Sequence, residues 1–263
     1  MTAEFQNVAG LRTHVQTLGE GKKVLVMLHG WGASGEKFTA LAEKLLAQNS
    51  ELKIVLPDLP GFGKTQPPEA SGWTTHQYAA WLRELLQKIS STQKNAPVAL
   101  YGHSFGCRVI VRLLTEGSPF DGKVILTGAA GVNWPLNWHQ KFFLWLNHSL
   151  GWVKKIVPDR AQQFIAKHVL GARDWVAVAP EMKQTLAKVL KEEDVRDDLP
   201  HIQNKTLLLW GAEDNYTPVK SAHVFAEKLP HAELVIFPDG RHGIHHTHTE
   251  EIAVLVDRFL RES

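Results

Sequence analysis

A chain of 263 residues can bury a large core, and 44% apolar with 21% charged residues is the balance of a globular protein. A formal net charge of +2 carries no basic excess of the kind that nucleic acid or an anionic membrane demands, so neither is expected as a partner. The single cysteine, Cys107, excludes an internal disulfide, and no apolar run is long enough to span a bilayer. Met1 to Asn7 lacks the basic start and apolar core of a leader, so a cytoplasmic location is expected.

Short apolar runs alternate with longer segments of helical period, the pattern of βαβ units that build a parallel sheet. Phe5 to Val8 and Leu11 to Thr17 flank Ala9-Gly10 and predict an N-terminal hairpin. Strands are expected at Val24 to His29, Lys53 to Leu56, Pro97 to Tyr101, Lys123 to Thr127, Thr206 to Trp210 and Glu233 to Phe237. Helices are expected at Glu36 to Gln48, Thr75 to Ser90, Ser104 to Thr115, Val219 to Leu229 and Glu250 to Arg261. The last carries Ile252, Leu255, Val256 and Phe259 on one face, as a helix packed on a sheet should. The fold class that follows is α/β, a doubly wound and mostly parallel sheet.

The alternation stops after Gly131 and resumes near Asn204. The intervening stretch has helical period without strands and holds Trp134, Trp138, Trp145, Trp152 and Trp175. It reads as an inserted helical cap over residues 132–204, with the core domain formed by 1–131 and 205–263. The aromatic stripe reads first as packing of a cap onto its body, and Trp134, Trp138 and Trp145 are also candidates for an apolar pocket wall.

Reactive groups in such a sheet gather at the carboxyl ends of the strands. Gly102-His103-Ser104-Phe105-Gly106 follows a strand and opens an apolar helix, the form of a turn that lifts a serine hydroxyl clear of the backbone. A serine needs a base to take its proton, and the base needs a buried carboxylate to hold its tautomer. Asp214 and His242 each lie just past a later strand, and the order Ser104, Asp214, His242 suits this geometry. Glycines in His29-Gly30-Trp31-Gly32 let the chain turn so that the main-chain N–H groups of Trp31 and Phe105 can face a developing oxyanion. Asp58, in Asp58-Leu59-Pro60-Gly61-Phe62-Gly63, reads as a loop-fixing residue, and Cys107 as a small buried side chain.

These motifs together resemble the α/β-hydrolase superfamily, and the serine at the elbow makes the likeness one to serine carboxylesterases. The resemblance covers nearly the whole chain outside the cap and implies an α/β-hydrolase fold with Ser104, Asp214 and His242 as a catalytic triad. The His29 and Asp58 motifs are similar to those of pimeloyl-carrier-protein methyl ester esterases, which tend to have tryptophan where this chain has His103. Haloalkane dehalogenases and epoxide hydrolases use aspartate in place of Ser104. Carbon–carbon bond hydrolases usually follow the histidine with tryptophan, where Gly243 stands here.

His242, His245, His246 and His248 lie close together, but no cysteine accompanies them, and Glu250 and Glu251 suit the start of the last helix. No metal and no organic cofactor is expected. His245, His246 and His103 are rival bases; His242 is preferred because it comes soonest after the strand, and His103 reads as structural because its side chain should point away from that of Ser104. The expected function is hydrolysis of carboxylic esters with small to medium apolar groups through an acyl-enzyme. Thioesterase or carbon–carbon hydrolase chemistry on the same triad, or ligand binding without catalysis, are the alternatives. Oligomeric state is open.

Overall fold

The structure, a computed structural model, describes residues 1–68, 72–93, 96–134, 182–191 and 194–262. Eight strands form one sheet in the order β1-β2-β4-β3-β5-β6-β7-β8. The hairpin strands β1 (Thr2–Val8) and β2 (Leu11–Leu18) pair antiparallel, and β2 pairs antiparallel with β4 (Leu52–Pro57). From β4 onward every pairing is parallel, through β3 (Lys23–Leu28), β5 (Val98–His103), β6 (Val124–Thr127), β7 (Thr206–Gly211) and β8 (Ala232–Phe237).

Strand side chains alternate between two buried layers, which is why these strands read as continuous apolar runs. Val24, Val26, Leu28, Leu100, Leu126 and Leu208 face one layer, where they meet helices α2 (Thr75–Thr92), α3 (Phe105–Thr115) and α5 (Val219–Lys228). Leu25, Met27, Tyr101, Ile125 and Leu207 face the other, against α1 (Thr39–Gln48) and α7 (Thr249–Arg261). Each fully buried side chain of this size contributes about 1.5–3 kcal/mol, so both faces of the sheet are strongly covered.

Several elements differ from the sequence expectation for local reasons. The helix expected from Glu36 begins as a 3₁₀ turn, Gly35–Phe38, because the Gly35 N–H is held by Asp58 Oδ1 at 2.7 Å. Helix α2 runs past Ser90 to Thr92, where the Ser91 and Thr92 hydroxyls bond back to the Lys88 carbonyl. A short helix, α6 (Ile244–Thr247), had no counterpart among the expected elements, whereas α4 (Lys183–Lys191) falls in the stretch expected to be helical.

The described end of the stretch assigned to the cap is fastened to the body. Thr185 Oγ1 accepts from Trp73 N at 3.0 Å, Lys188 Nζ donates to the Gly72 carbonyl at 2.9 Å, and Val195 N donates to the Gly131 carbonyl at 3.1 Å. Met182, Val189, Val195 and Leu199 are buried in the same cluster as α2 and α3.

Candidate active site

The turn between β5 and α3 forces Ser104 into φ +51°, ψ −111°, one of two non-glycine residues with positive φ among those described. Such a conformation costs on the order of 1–3 kcal/mol and persists only where its surroundings fix it. Here Ser104 N donates to the Thr127 carbonyl at 3.0 Å, and the Ser104 carbonyl accepts from Ala130 N at 3.2 Å. The flanking glycines are required by space. A Cβ on Gly106 would stand 2.3 Å from the Leu28 carbonyl oxygen, and one on Gly102 would stand 2.8 Å from Cys107 N.

Ser104 opens onto a cavity of about 370 Å³ together with Gly30, Trp31, His103, Tyr216 and His242. His242 follows β8 and Asp214 follows β7, and parallel pairing of those strands brings the two loops side by side. His242 Nδ1 lies 2.8 Å from Asp214 Oδ2, and the carboxylate itself is fully buried. Asp214 Oδ1 accepts from the N–H groups of Tyr216 and Thr217 at 2.8 and 2.9 Å, while Thr217 Oγ1 donates to Oδ2 at 2.7 Å. Burial alone would raise the carboxyl's pKa; the bond and charge of His242, with those donors, hold it below the usual value. Asp214 therefore stays ionised beside the ring it orients.

The neighbouring His245 and His103 are deeply buried. His245 is 4% exposed, its Nδ1 has no hydrogen-bond partner, and burial together with His246, His242 and Lys37 pushes its pKa down to about 3. His103 closes β5, and its ring stands against the cavity, with its centroid 4.7 Å from that of His242. Burial, then His245 and His242, hold it well below the ordinary histidine range. Thr127 Oγ1 donates to the Gly102 carbonyl, so His103 Nδ1, 3.2 Å from both Thr127 oxygens, acts as donor to them. Neither His103 nor His245 has a carboxylate on its ring, whereas His242 does. Among the described residues, no hydrogen bond joins Ser104 Oγ to His242.

Two further loops shape the cavity. His29 Nε2 accepts from Leu59 N at 2.9 Å while its Nδ1 bonds the Gly30 carbonyl at 2.8 Å, which ties the loop after β3 to the loop after β4. Asp58 anchors the latter through His14 Nδ1, Gly35 N and Lys64 N, the loop-fixing role expected of it. The Trp31 ring packs against Phe62 and Phe105 at 4.8 and 5.2 Å. Among the described residues neither the Trp31 nor the Phe105 main-chain N–H has a hydrogen-bond acceptor.

Trp134 does not line this cavity. Its indole N–H donates to Ser221 Oγ at 2.8 Å, and its ring lies under Lys220 Nζ at 3.8 Å and the Arg196 guanidinium at 4.8 Å. Trp138 and Trp145 lie outside the described residues. Tyr216 and Lys37, which do line the cavity, were not singled out from sequence; Tyr216, two residues past Asp214, was the more findable. Among the described residues no group of three His, Cys, Asp or Glu side chains is arranged to hold a metal ion. No described helix is long and apolar enough to cross a membrane.

Residues 25–255 match the alpha/beta hydrolase family. The chain belongs to that family. Among curated relatives, the hydrolase is 23% identical over 266 residues to 2-hydroxymuconate semialdehyde hydrolase of Pseudomonas putida, covering 97% of this chain and 92% of the relative. It is 25% identical over 249 residues to pimeloyl-[acyl-carrier protein] methyl ester esterase of Vibrio vulnificus, covering 88% and 91%. Two solved structures share its fold at a TM-score of 0.75, each covering 99% of this chain and 100% of its own. One is an esterase from Exiguobacterium antarcticum at 24% identity, the other a bromoperoxidase from Bacillus anthracis at 19%.

Proposed function

We propose that this member of the family is a serine hydrolase of carboxylic esters, with Ser104 as nucleophile, His242 as base and Asp214 as the carboxylate that orients it. The observation that carries the reading is the joint one. A serine held at φ +51° opens onto the same cavity as a histidine whose Nδ1 is bonded to a fully buried carboxylate.

In this reading the Ser104 hydroxyl attacks the ester carbonyl carbon while His242 Nε2 takes its proton. The charge that develops on the carbonyl oxygen is met by the Trp31 and Phe105 N–H groups. Collapse breaks the bond to the alcohol oxygen, which leaves with the proton from His242. Water, deprotonated by the same ring, then attacks the acyl-enzyme, and the acid departs as Ser104 Oγ recovers the proton.

Residues 132–204 are assigned to a cap on the strength of their composition, with the acyl or alcohol group seated beneath it. The Vibrio relative's name supports ester cleavage. The Pseudomonas relative is named a semialdehyde hydrolase, and carbon–carbon hydrolysis on the same triad is the second reading, against which Gly243 stands after His242.

Hydrolysis of short-chain 4-nitrophenyl esters by the intact protein and by Ser104→Ala tests the proposal. Turnover in the first and its loss in the second is expected. Equal rates would remove Ser104 as nucleophile, and no turnover by the intact protein would count against the esterase.

A further inference from the structure

Beyond Ser104 and His242, one wall of the cavity is built from Lys37, His245 and His246. The three imidazoles lie in a row, with ring centroids 4.4 Å apart from His103 to His245 and 4.1 Å from His245 to His246. The rings are tilted against one another, at 60° and 47°, and among the described residues no three such side chains are grouped to hold a metal ion. Among the described residues no aspartate or glutamate lines the cavity and Lys37 makes no ion pair. A buried nitrogen with no partner, His245 Nδ1, belongs to the same wall.

We propose that this wall binds a negatively charged group of the substrate, so that the ester acted on also carries a carboxylate, held by the Lys37 ammonium beside the His246 ring. The proposal rests on the serine hydrolase reading for the reacting end and on Lys37 for the other end. Lys37 is already felt inside the cavity: burial comes first, but its charge also contributes to holding His245 and His246 below the ordinary histidine range. A carboxylate entering there meets an unpaired cation beside neutral imidazoles whose ring N–H groups can donate. A cationic substrate would be repelled by Lys37 and is selected against.

The probes are monomethyl adipate and its neutral counterpart dimethyl adipate, which present the same methyl ester with and without the distal carboxylate. Hydrolysis by the intact protein is compared with that by Lys37→Met and Lys37→Arg, and binding is measured by calorimetry on Ser104→Ala. Lys37 is exposed on a 3₁₀ turn, so its truncation leaves the core intact. The expected result is a preference for the monoester that falls about fivefold in Lys37→Met and returns in Lys37→Arg, in both kcat/KM and affinity. Equal handling of the two esters by the intact protein, or a ratio unmoved by Lys37→Met, overturns the proposal. Lys37-dependent binding of the monoester with no hydrolysis of either would uphold the anion site and instead count against the esterase reading.

Discussion

The ring of Tyr216 stacks on that of His242, with centroids 5.0 Å apart and planes 28° from parallel. Tyr216 also donates its main-chain N–H to Asp214, so one residue holds both the carboxylate and the face of the ring that the carboxylate orients. The stack limits rotation of the imidazole, so its expected role is to position the ring. Tyr216→Ala is expected to lower kcat on a short-chain ester by about tenfold with little change in KM, because misaimed proton transfer slows the chemical step. Tyr216→Phe keeps the ring and should restore the rate. A Phe variant as slow as Ala would shift the role from the ring to the hydroxyl.

Asp214→Asn should be far more damaging than its size suggests. The two main-chain donors on Oδ1 require an acceptor there, so the amide nitrogen must take the Oδ2 place and face His242 Nδ1. That fixes the wrong tautomer, with the proton on Nε2 where a lone pair is needed. A fall in kcat on the order of 10³ to 10⁴, with the far-ultraviolet spectrum unchanged, is expected. A loss below about tenfold would detach Asp214 from catalysis.

The elbow leaves no space at Gly106. With a Cβ placed 2.3 Å from the Leu28 carbonyl and 2.9 Å from the His29 carbonyl, Gly106→Ala must push β3 and α3 apart. A destabilisation of about 2–3 kcal/mol is expected, seen as a fall in Tm of roughly 5–10 °C. An unchanged Tm would mean that the turn is looser than described.

Stability should fall in mild acid. Burial, opposed in part by the Gly30 carbonyl and Asp58, pushes His29 down to about 4, and His245 is pushed down to about 3. The unfolded chain protonates these rings near pH 6.5, so below that pH it binds protons that the folded state refuses. Stability is therefore full above about pH 6.5, and each ring removes up to about 1.4 kcal/mol per unit as pH falls toward its folded value. Urea midpoints measured at neutral and mildly acid pH check this. His245→Phe should flatten the slope by about one proton, and an unchanged slope would contradict the buried neutral state of His245.

The candidate site was legible in sequence because each part is announced locally. Gly102 and Gly106 mark the tight turn, and Asp214 and His242 stand just past apolar runs that pair in parallel. What the linear order hides is lateral contact. Tyr216 sits over His242 only because β7 and β8 are neighbours, and Lys37 reaches the cavity only because Asp58, in another loop, holds Gly35 in a 3₁₀ turn. Helix α6 was invisible for a simpler reason: Ile244-His245-His246-Thr247 has too few residues to show a period. The aromatic spacing offered Trp134 as packing between cap and body or as a pocket wall, and in the fold Lys220, Arg196 and Ser221 engage that indole.

The central claim is that Ser104 forms the covalent acyl-enzyme. Its most direct test is peptide mass analysis after treatment with diethyl 4-nitrophenyl phosphate, which phosphorylates a serine activated by a neighbouring base and is released only slowly. The account predicts a single diethylphosphoryl group on the peptide containing Ser104, absent in Ser104→Ala and greatly slowed in His242→Ala. Labelling at another residue, or labelling of Ser104 at the same rate without His242, would contradict it.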